Sequence, residues 1–167
     1  MPLALGLLLF LATVVAMELV AYAAHRWLMH GPGWFLHKSH HEPRTGAFEA
    51  NDWYAAIFAI PSILLIWGAT SGASGDWALA VGAGVAAYGA IYFGFHDMIV
   101  HGRLGYRSAP NGRYLKRTVQ AHRLHHAVET RLGAVSYGFL WARPPLALKA
   151  ELRRRGRAGV RAPAAAE

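Results

Sequence analysis

The 167-residue chain has no cysteine. That absence excludes disulfides, thiolate zinc sites, cysteine-held iron–sulfur clusters and a thiolate-ligated haem. Any redox metal must therefore sit on nitrogen or oxygen. Charge is also scarce. Only 16% of residues are charged and 54% are hydrophobic, whereas a soluble domain carries about 25% charged residues. Basic residues are missing altogether before Arg26 and from the 72–76 turn. A chain of this length makes one domain or one membrane bundle, and the charge shortage favours the bundle.

Three stretches meet the requirement of about 20 mostly apolar residues per spanning helix. They run from Leu3 to Ala24, broken only by Glu18, from Trp53 to Ser71 and from Trp77 to Phe95. The first lacks the basic start of a secretory signal and has a long apolar body, so it reads as a retained span. Trp53 and Trp77 open the other two, at positions where aromatic anchors commonly sit. The expected fold is therefore an all-α integral membrane helical bundle with about three spans. Leu132 to Leu148 is moderately apolar but carries Arg143, Pro144 and Pro145, and reads as an interfacial or re-entrant piece. Residues 1–150 form the expected membrane domain, and 151–167 a basic, disordered tail.

The net charge of +8 is unevenly spread. Residues 1–100 hold three Lys/Arg against six Asp/Glu, and residues 101–167 hold fourteen against three. Every basic residue falls in the 25–52 loop or after residue 100. The positive-inside rule puts these two segments in the cytoplasm, with the hairpin turn outside.

All ten histidines fall in four short windows: His25 and His30; His37, His40 and His41; His96 and His101; and His122, His125 and His126. The patterns are H-x4-H, H-x2-H-H, H-x4-H and H-x2-H-H, so the order repeats across the apolar hairpin. Scattered surface or core histidines do not repeat in this way. On a helix, positions i, i+3 and i+4 share an arc of roughly 100°, so each H-x2-H-H triad is expected to face one point. The x4 pairs lie about 140° apart on an ideal α-helix and should bracket a helix end or flank a metal. Ten imidazoles exceed what one ion holds, and two ions with about five nitrogens each fit the count.

Imidazole alone does not choose between iron, zinc, copper and nickel, and the spacing also suits a metal store. Every cluster lies at or beyond the cytoplasmic end of an expected span. A transporter would place polar ligands near the bilayer midplane instead. A site at the rim, between lipid and soluble donors, suits oxidation of a lipid-dissolved substrate. Carboxylates that could hold the outer nitrogen of a bound imidazole are Asp97 beside His96, Glu42 beside His41, and Glu18, two helical turns before His25. Glu42 also reads as a solvated charge, and Glu18 as an interhelical contact. Asp52 and Glu129 read as ordinary loop residues.

The segments HKSHHEPRTGAFEANDWYA, FGFHDMIVHGR, YLKRTVQAHRLHHAV and VSYGFL, with the order and spacing of all four histidine motifs, resemble the fatty-acid-hydroxylase superfamily of membrane di-iron oxygenases. Within it they are similar to the bacterial carotenoid 3-hydroxylases. The resemblance covers about residues 15–150, and one departure from it is Gly102, after the third motif. It implies two irons held by His25, His30, His37, His40, His41, His96, His101, His122, His125 and His126, with O2 as co-substrate. The implied reaction is hydroxylation at carbon 3 of the β-ionone ring, taking β-carotene to β-cryptoxanthin and then zeaxanthin. Implied partners are a ferredoxin-like electron carrier and an NAD(P)H reductase, and the implied location is the inner membrane. Alternatives on the same scaffold are a carotenoid ketolase or a sterol or fatty-acyl hydroxylase. Outside the enzyme class, the alternative is a metal-binding membrane protein.

Overall fold

The computed structural model describes residues 1–44, 46–105, 110–156 and 159–160. Among these residues the secondary structure is helical, apart from one isolated bridge between Val128 and Val160. Helix α1 (Leu3–Ala23) runs on into a π-helical turn over Ala24–Met29, and α2 (Trp34–His41) follows. A 3-10 turn at Ala50–Asp52 leads into α3 (Trp53–Thr70). Helix α4 (Asp76–Tyr92) ends in a second π-helical segment, Phe93–Val100. Helices α5 (Arg113–His126) and α6 (Pro145–Arg154) complete the order.

Three continuous helical segments, Leu3–Met29, Ala50–Thr70 and Asp76–Val100, are long and apolar enough to cross a bilayer. Their outer faces are apolar: Leu7, Leu11, Val15 and Leu19 stand exposed along α1, as do Ile60, Ile63, Leu64 and Trp67 along α3. In water such stripes would be costly, and in lipid they are the expected solvated surface. The chain is a membrane protein of three spans. Trp53 and Trp77 are exposed at their starts, as interfacial anchors should be.

Helix α4 packs between α1 and α3. Small residues set the approach, as is usual between membrane helices. A Cβ on Gly84 would stand 2.7 Å from Cβ of Thr13 on α1, and one on Gly82 would stand 3.0 Å from the Ser62 carbonyl on α3. Ser62 Oγ donates to the Gly82 carbonyl at 2.7 Å across the same contact. The C-terminal ends of the first and third spans and the N-terminal end of the second therefore meet at one end of the bundle.

That end is covered by α2, α5 and the irregular segment 127–144. A small core of Ala121, Val128, Ala134, Val135, Ala142, Leu148 and Leu152 ties the segment to α5 and α6. Leu132 to Leu148 accordingly makes no span. Only its last four residues are helical, as the start of the ten-residue helix α6, which lies outside the bundle. Helix α6 also runs four residues past the boundary at 150, because Leu148 and Leu152, one turn apart, share the face buried in this core. Within the remainder of the expected tail, residues 157–158 and 161–167 lie outside the described residues.

Candidate metal centre

The two π-helical segments explain the H-x4-H pairs. An α-helix would put these histidines far apart around the axis, but the wider turn is closed by i to i+5 bonds and brings the second back over the first. The His30 amide donates to the His25 carbonyl and the His101 amide to the His96 carbonyl, both at 3.1 Å. The ring centroids are then 5.3 Å apart for His25 and His30, and 4.6 Å for His96 and His101.

The side-chain nitrogens gather into two groups, each with all its atoms within 4.8 Å of one another. One group is His40, His96, His101, His122 and His126; the other is His25, His30, His37 and His125. Each x4 pair stays together. The H-x2-H-H triads do not converge on one point as expected: His40 leaves His37, and His125 leaves His122 and His126. Both triads lie between the two groups, so the arc of i, i+3 and i+4 spreads their side chains to either side. His41 has its ring 5.0 Å from those of His30, His37 and His125 and 4.6 Å from that of His126, between the groups.

Seven imidazoles are oriented through Nδ1. His25 donates to the Tyr137 carbonyl at 2.8 Å, His30 to that of Arg131 at 2.9 Å, His41 to that of Val128 at 2.8 Å and His125 to that of Val135 at 3.0 Å. His37 donates to Asn51 Oδ1 at 2.7 Å, His40 to Glu49 Oε2 at 3.1 Å and His96 to Asp97 Oδ1 at 2.7 Å. Each acceptor fixes the proton on Nδ1 and leaves Nε2 bare. The bare Nε2 atoms then face each other in pairs, His25 with His37 at 3.2 Å, His30 with His125 at 3.1 Å and His40 with His96 at 3.1 Å. Two facing lone pairs repel unless a cation lies between them. Nitrogens bound side by side on one ion, with bonds of about 2.1 Å, stand about 3 Å apart. The donor set therefore fits a metal, and the chain carries a metal site.

Burial keeps these rings neutral. It pushes His37 down to about 3 and His101 down to about 2, with the neighbouring imidazoles adding to the effect. His40, His122, His125 and His126 are held well below the usual histidine range for the same two reasons. At neutral pH each therefore offers a lone pair without having to lose a proton first.

Of the three anticipated carboxylates, Asp97 sits where the sequence placed it. It is also held by Arg103 Nη1 at 3.1 Å, while Arg103 Nη2 reaches Asp52 at 2.6 Å. Asp52 is thus no ordinary loop residue: it links the start of the second span to the end of the third, and its side chain caps the Glu49 amide at 3.0 Å. Glu42, just past the end of α2, lines the cavity beside His40 and His101 but pairs with Lys38 at 3.3 Å rather than with an imidazole. The carboxylate that does reach a histidine of α2 is Glu49, eight residues from His41. Asn51 and the four loop carbonyls were equally unannounced, since carbonyls leave no mark in a sequence.

Glu18 touches no histidine. Its Oε1 accepts from the amides of Phe139, Leu140 and Trp141 at 2.9, 3.0 and 3.1 Å, and its Oε2 from the Tyr88 hydroxyl at 2.8 Å. A carboxylate inside an apolar span is thereby satisfied by the loop it anchors. That loop carries Phe139, whose ring stacks on His25 at 5.2 Å and meets His96 edge-on at 5.3 Å, one histidine from each group. Tyr92 stacks on His96 at 4.5 Å. On another side, a polar cavity of about 460 Å3 reaches His40, His101 and His126 between Arg44, Glu49 and Arg123.

Known proteins similar to this chain agree with one another. The beta-carotene hydroxylase of Pantoea ananas is 52% identical, covering 95% of this chain and 88% of that protein. The beta-carotene hydroxylase of Paracoccus sp. (strain PC1) is 48% identical, over 89% of this chain and 91% of its own. The chloroplastic beta-carotene 3-hydroxylase 2 of Arabidopsis thaliana is 39% identical over 78% of this chain and 43% of its own length. No solved structure matches. The family profile of the fatty acid hydroxylases matches residues 10–143, which include every histidine, both π-helical segments and the loop held by Glu18, and the chain belongs to that family.

Proposed function

We propose that the protein hydroxylates carbon 3 of the β-ionone ring of carotenoids, converting β-carotene to β-cryptoxanthin and then zeaxanthin. The observation that carries the reading is the set of facing, unprotonated Nε2 pairs at the end of three apolar spans. The substrate class rests on the names of the similar bacterial proteins. Two irons would be held, one by His40, His96, His101, His122 and His126 and one by His25, His30, His37 and His125, joined by His41, whose ring lies 5.0 Å from those of His30, His37 and His125. Bound there, they would supply the oxidising power from O2 that an unactivated ring C–H bond demands.

The chain's own part in the reaction is positioning and exclusion. Glu49, Asp97, Asn51 and the loop carbonyls hold the imidazoles in the donor tautomer. Phe139 and Tyr92 pack on the rings of His25 and His96 and, with Phe139 almost fully buried, close that side of the imidazoles to water. The polar cavity beside His101 and His126 gives water and small solutes a separate approach. The charge distribution supports a site facing the cytoplasm across the inner membrane. There a ferredoxin-like carrier, reduced by an NAD(P)H-dependent reductase, would deliver electrons.

Co-expression in a host that accumulates β-carotene, followed by pigment chromatography, tests the reading. Zeaxanthin and β-cryptoxanthin are expected, with about two irons per purified chain. Unaltered β-carotene in the presence of iron-loaded protein, or a ring ketone as product, overturns it.

A further inference from the structure

A second cavity, of about 200 Å3, lies beside the end of the first span. Arg26, Arg143 and Arg155 line it, and the carboxylate among its lining residues is Glu151. Glu151 is shared: Arg143 Nη1 reaches its Oε2 at 2.6 Å and Arg155 Nη2 its other oxygen. Arg26 donates to the Tyr22 hydroxyl at 2.8 Å and has no carboxylate partner among the described residues. Three guanidinium groups therefore share one negative charge. The surplus suits a bound anion, and guanidinium is the side chain best shaped for phosphate.

Depth and surroundings indicate which anion. Arg26 lies in the last turns of the span Leu3–Met29, beside Trp27, and Trp141 lines the cavity with its ring exposed. Exposed tryptophans next to arginines at the end of a span mark the headgroup layer. Ser136 lines the same cavity in a left-handed backbone conformation, φ 62°. Its hydroxyl is buried without a hydrogen-bond partner among the described residues.

We infer that this cavity binds the phosphate of an anionic phospholipid headgroup, with Arg26 and Arg143 as its charged contacts and the Ser136 hydroxyl as a donor. Occupancy has a structural consequence. Ser136 lies between Val135 and Tyr137, whose carbonyls hold His125 and His25. A bound headgroup thus clamps the segment that orients two of the clustered imidazoles.

The test uses the full chain in nanodiscs of phosphatidylcholine with increasing phosphatidylglycerol, read by native mass spectrometry of retained lipid and by melting temperature. Wild-type protein should retain phosphatidylglycerol in preference to phosphatidylcholine and melt higher in its presence. Replacing two basic groups, each worth about a factor of five near an anionic surface, in R26Q/R143Q should weaken retention roughly 30-fold. Ser136→Ala, which leaves the fold's ion pairs intact, should weaken it less. The control R113Q/K116Q, on α5 and outside the cavity, should retain lipid as wild type does. Wild-type protein that retains both lipids equally overturns the inference, whatever the variants do. So does an equal loss in the α5 control, which would reveal bulk surface charge. Stabilisation by inorganic phosphate alone in phosphatidylcholine discs would assign the cavity to free phosphate and overturn the lipid.

Discussion

His40 and His96 face each other through Nε2 at 3.1 Å while each gives its Nδ1 proton to a carboxylate, His40 to Glu49 and His96 to Asp97. The two rings come from different elements, α2 and the π-helical end of the third span, and two separate acids turn them to the same point. Carboxylates in this position raise the basicity of the donor nitrogen and fix its direction.

Glu49→Gln and Asp97→Asn should therefore each lower iron affinity or turnover by roughly 10–100-fold. Glu42→Gln, which removes a carboxylate paired with Lys38 rather than with an imidazole, should leave both unchanged. Iron content by metal analysis, measured beside product formation, checks the contrast. Equal effects at positions 42 and 49 would mean that general acidity, rather than contact, is what matters.

Asn51 does for the other histidine group what the acids do for His40 and His96. Its Oδ1 accepts from His37 Nδ1 at 2.7 Å, and both residues are buried. Asn51→Leu leaves that imidazole N–H without an acceptor, at a cost of about 1–3 kcal/mol. Weaker iron retention is expected, with the helical content seen by circular dichroism unchanged. Wild-type iron retention would show that packing alone orients His37.

Much of this was legible in the residues. Runs of uncharged apolar residues are a direct record of spans, and the clustered histidines are a direct record of the site. The division of the site was not legible, because an arc of 100° on a helix is compatible with one centre or with two. Nor was the π-helical winding that unites His25 with His30, since no residue type demands it. The acid beside a histidine in sequence proved a mixed guide. Asp97 stays within reach of His96 because the helix continues, whereas Glu42, past the end of α2, pairs with Lys38 instead. Phe139 carried no signal beyond its place in the VSYGFL segment, and contacts distant in sequence, from Glu18 and from His25, bring it to the rings.

The absence of cysteine makes the topology directly measurable. Phe48 lies at the histidine end and Ser71 at the hairpin turn, and both are exposed. In spheroplasts, a membrane-impermeant maleimide should label Ser71→Cys and spare Phe48→Cys until the membrane is broken if the basic segments take the side that the positive-inside rule gives them. The opposite pattern would invert the bundle. Labelling of both would remove the spans from the bilayer.

Glu18 offers the sharpest separation between holding the fold and holding the metal. Its side chain is the acceptor for three consecutive amides, and the loop they belong to passes close beside it. A Cβ on Gly138 would lie 3.1 Å from Glu18 Oε1. Glu18→Ala strands those amides and the Tyr88 hydroxyl. Phe139 is almost fully buried, so water cannot fully replace the lost acceptor. Phe139 and Tyr88 carry the two buried donors; at about 1–3 kcal/mol each their total is near 3 kcal/mol, which corresponds to a melting temperature lower by roughly 6–12 °C. Glu18→Gln keeps one acceptor oxygen for the amides, and its NH2 can donate to the Tyr88 oxygen, so its loss should be nearer 1 kcal/mol. Neither variant removes a nitrogen from the two histidine groups. Iron per folded chain should therefore stay close to wild type, while product formation falls as Phe139 leaves His25 and His96. If Glu18→Ala melts with the wild type, the 139–141 segment is anchored elsewhere. If it loses iron without losing stability, Glu18 acts on the metal site itself, and its role as the anchor of Phe139 is wrong.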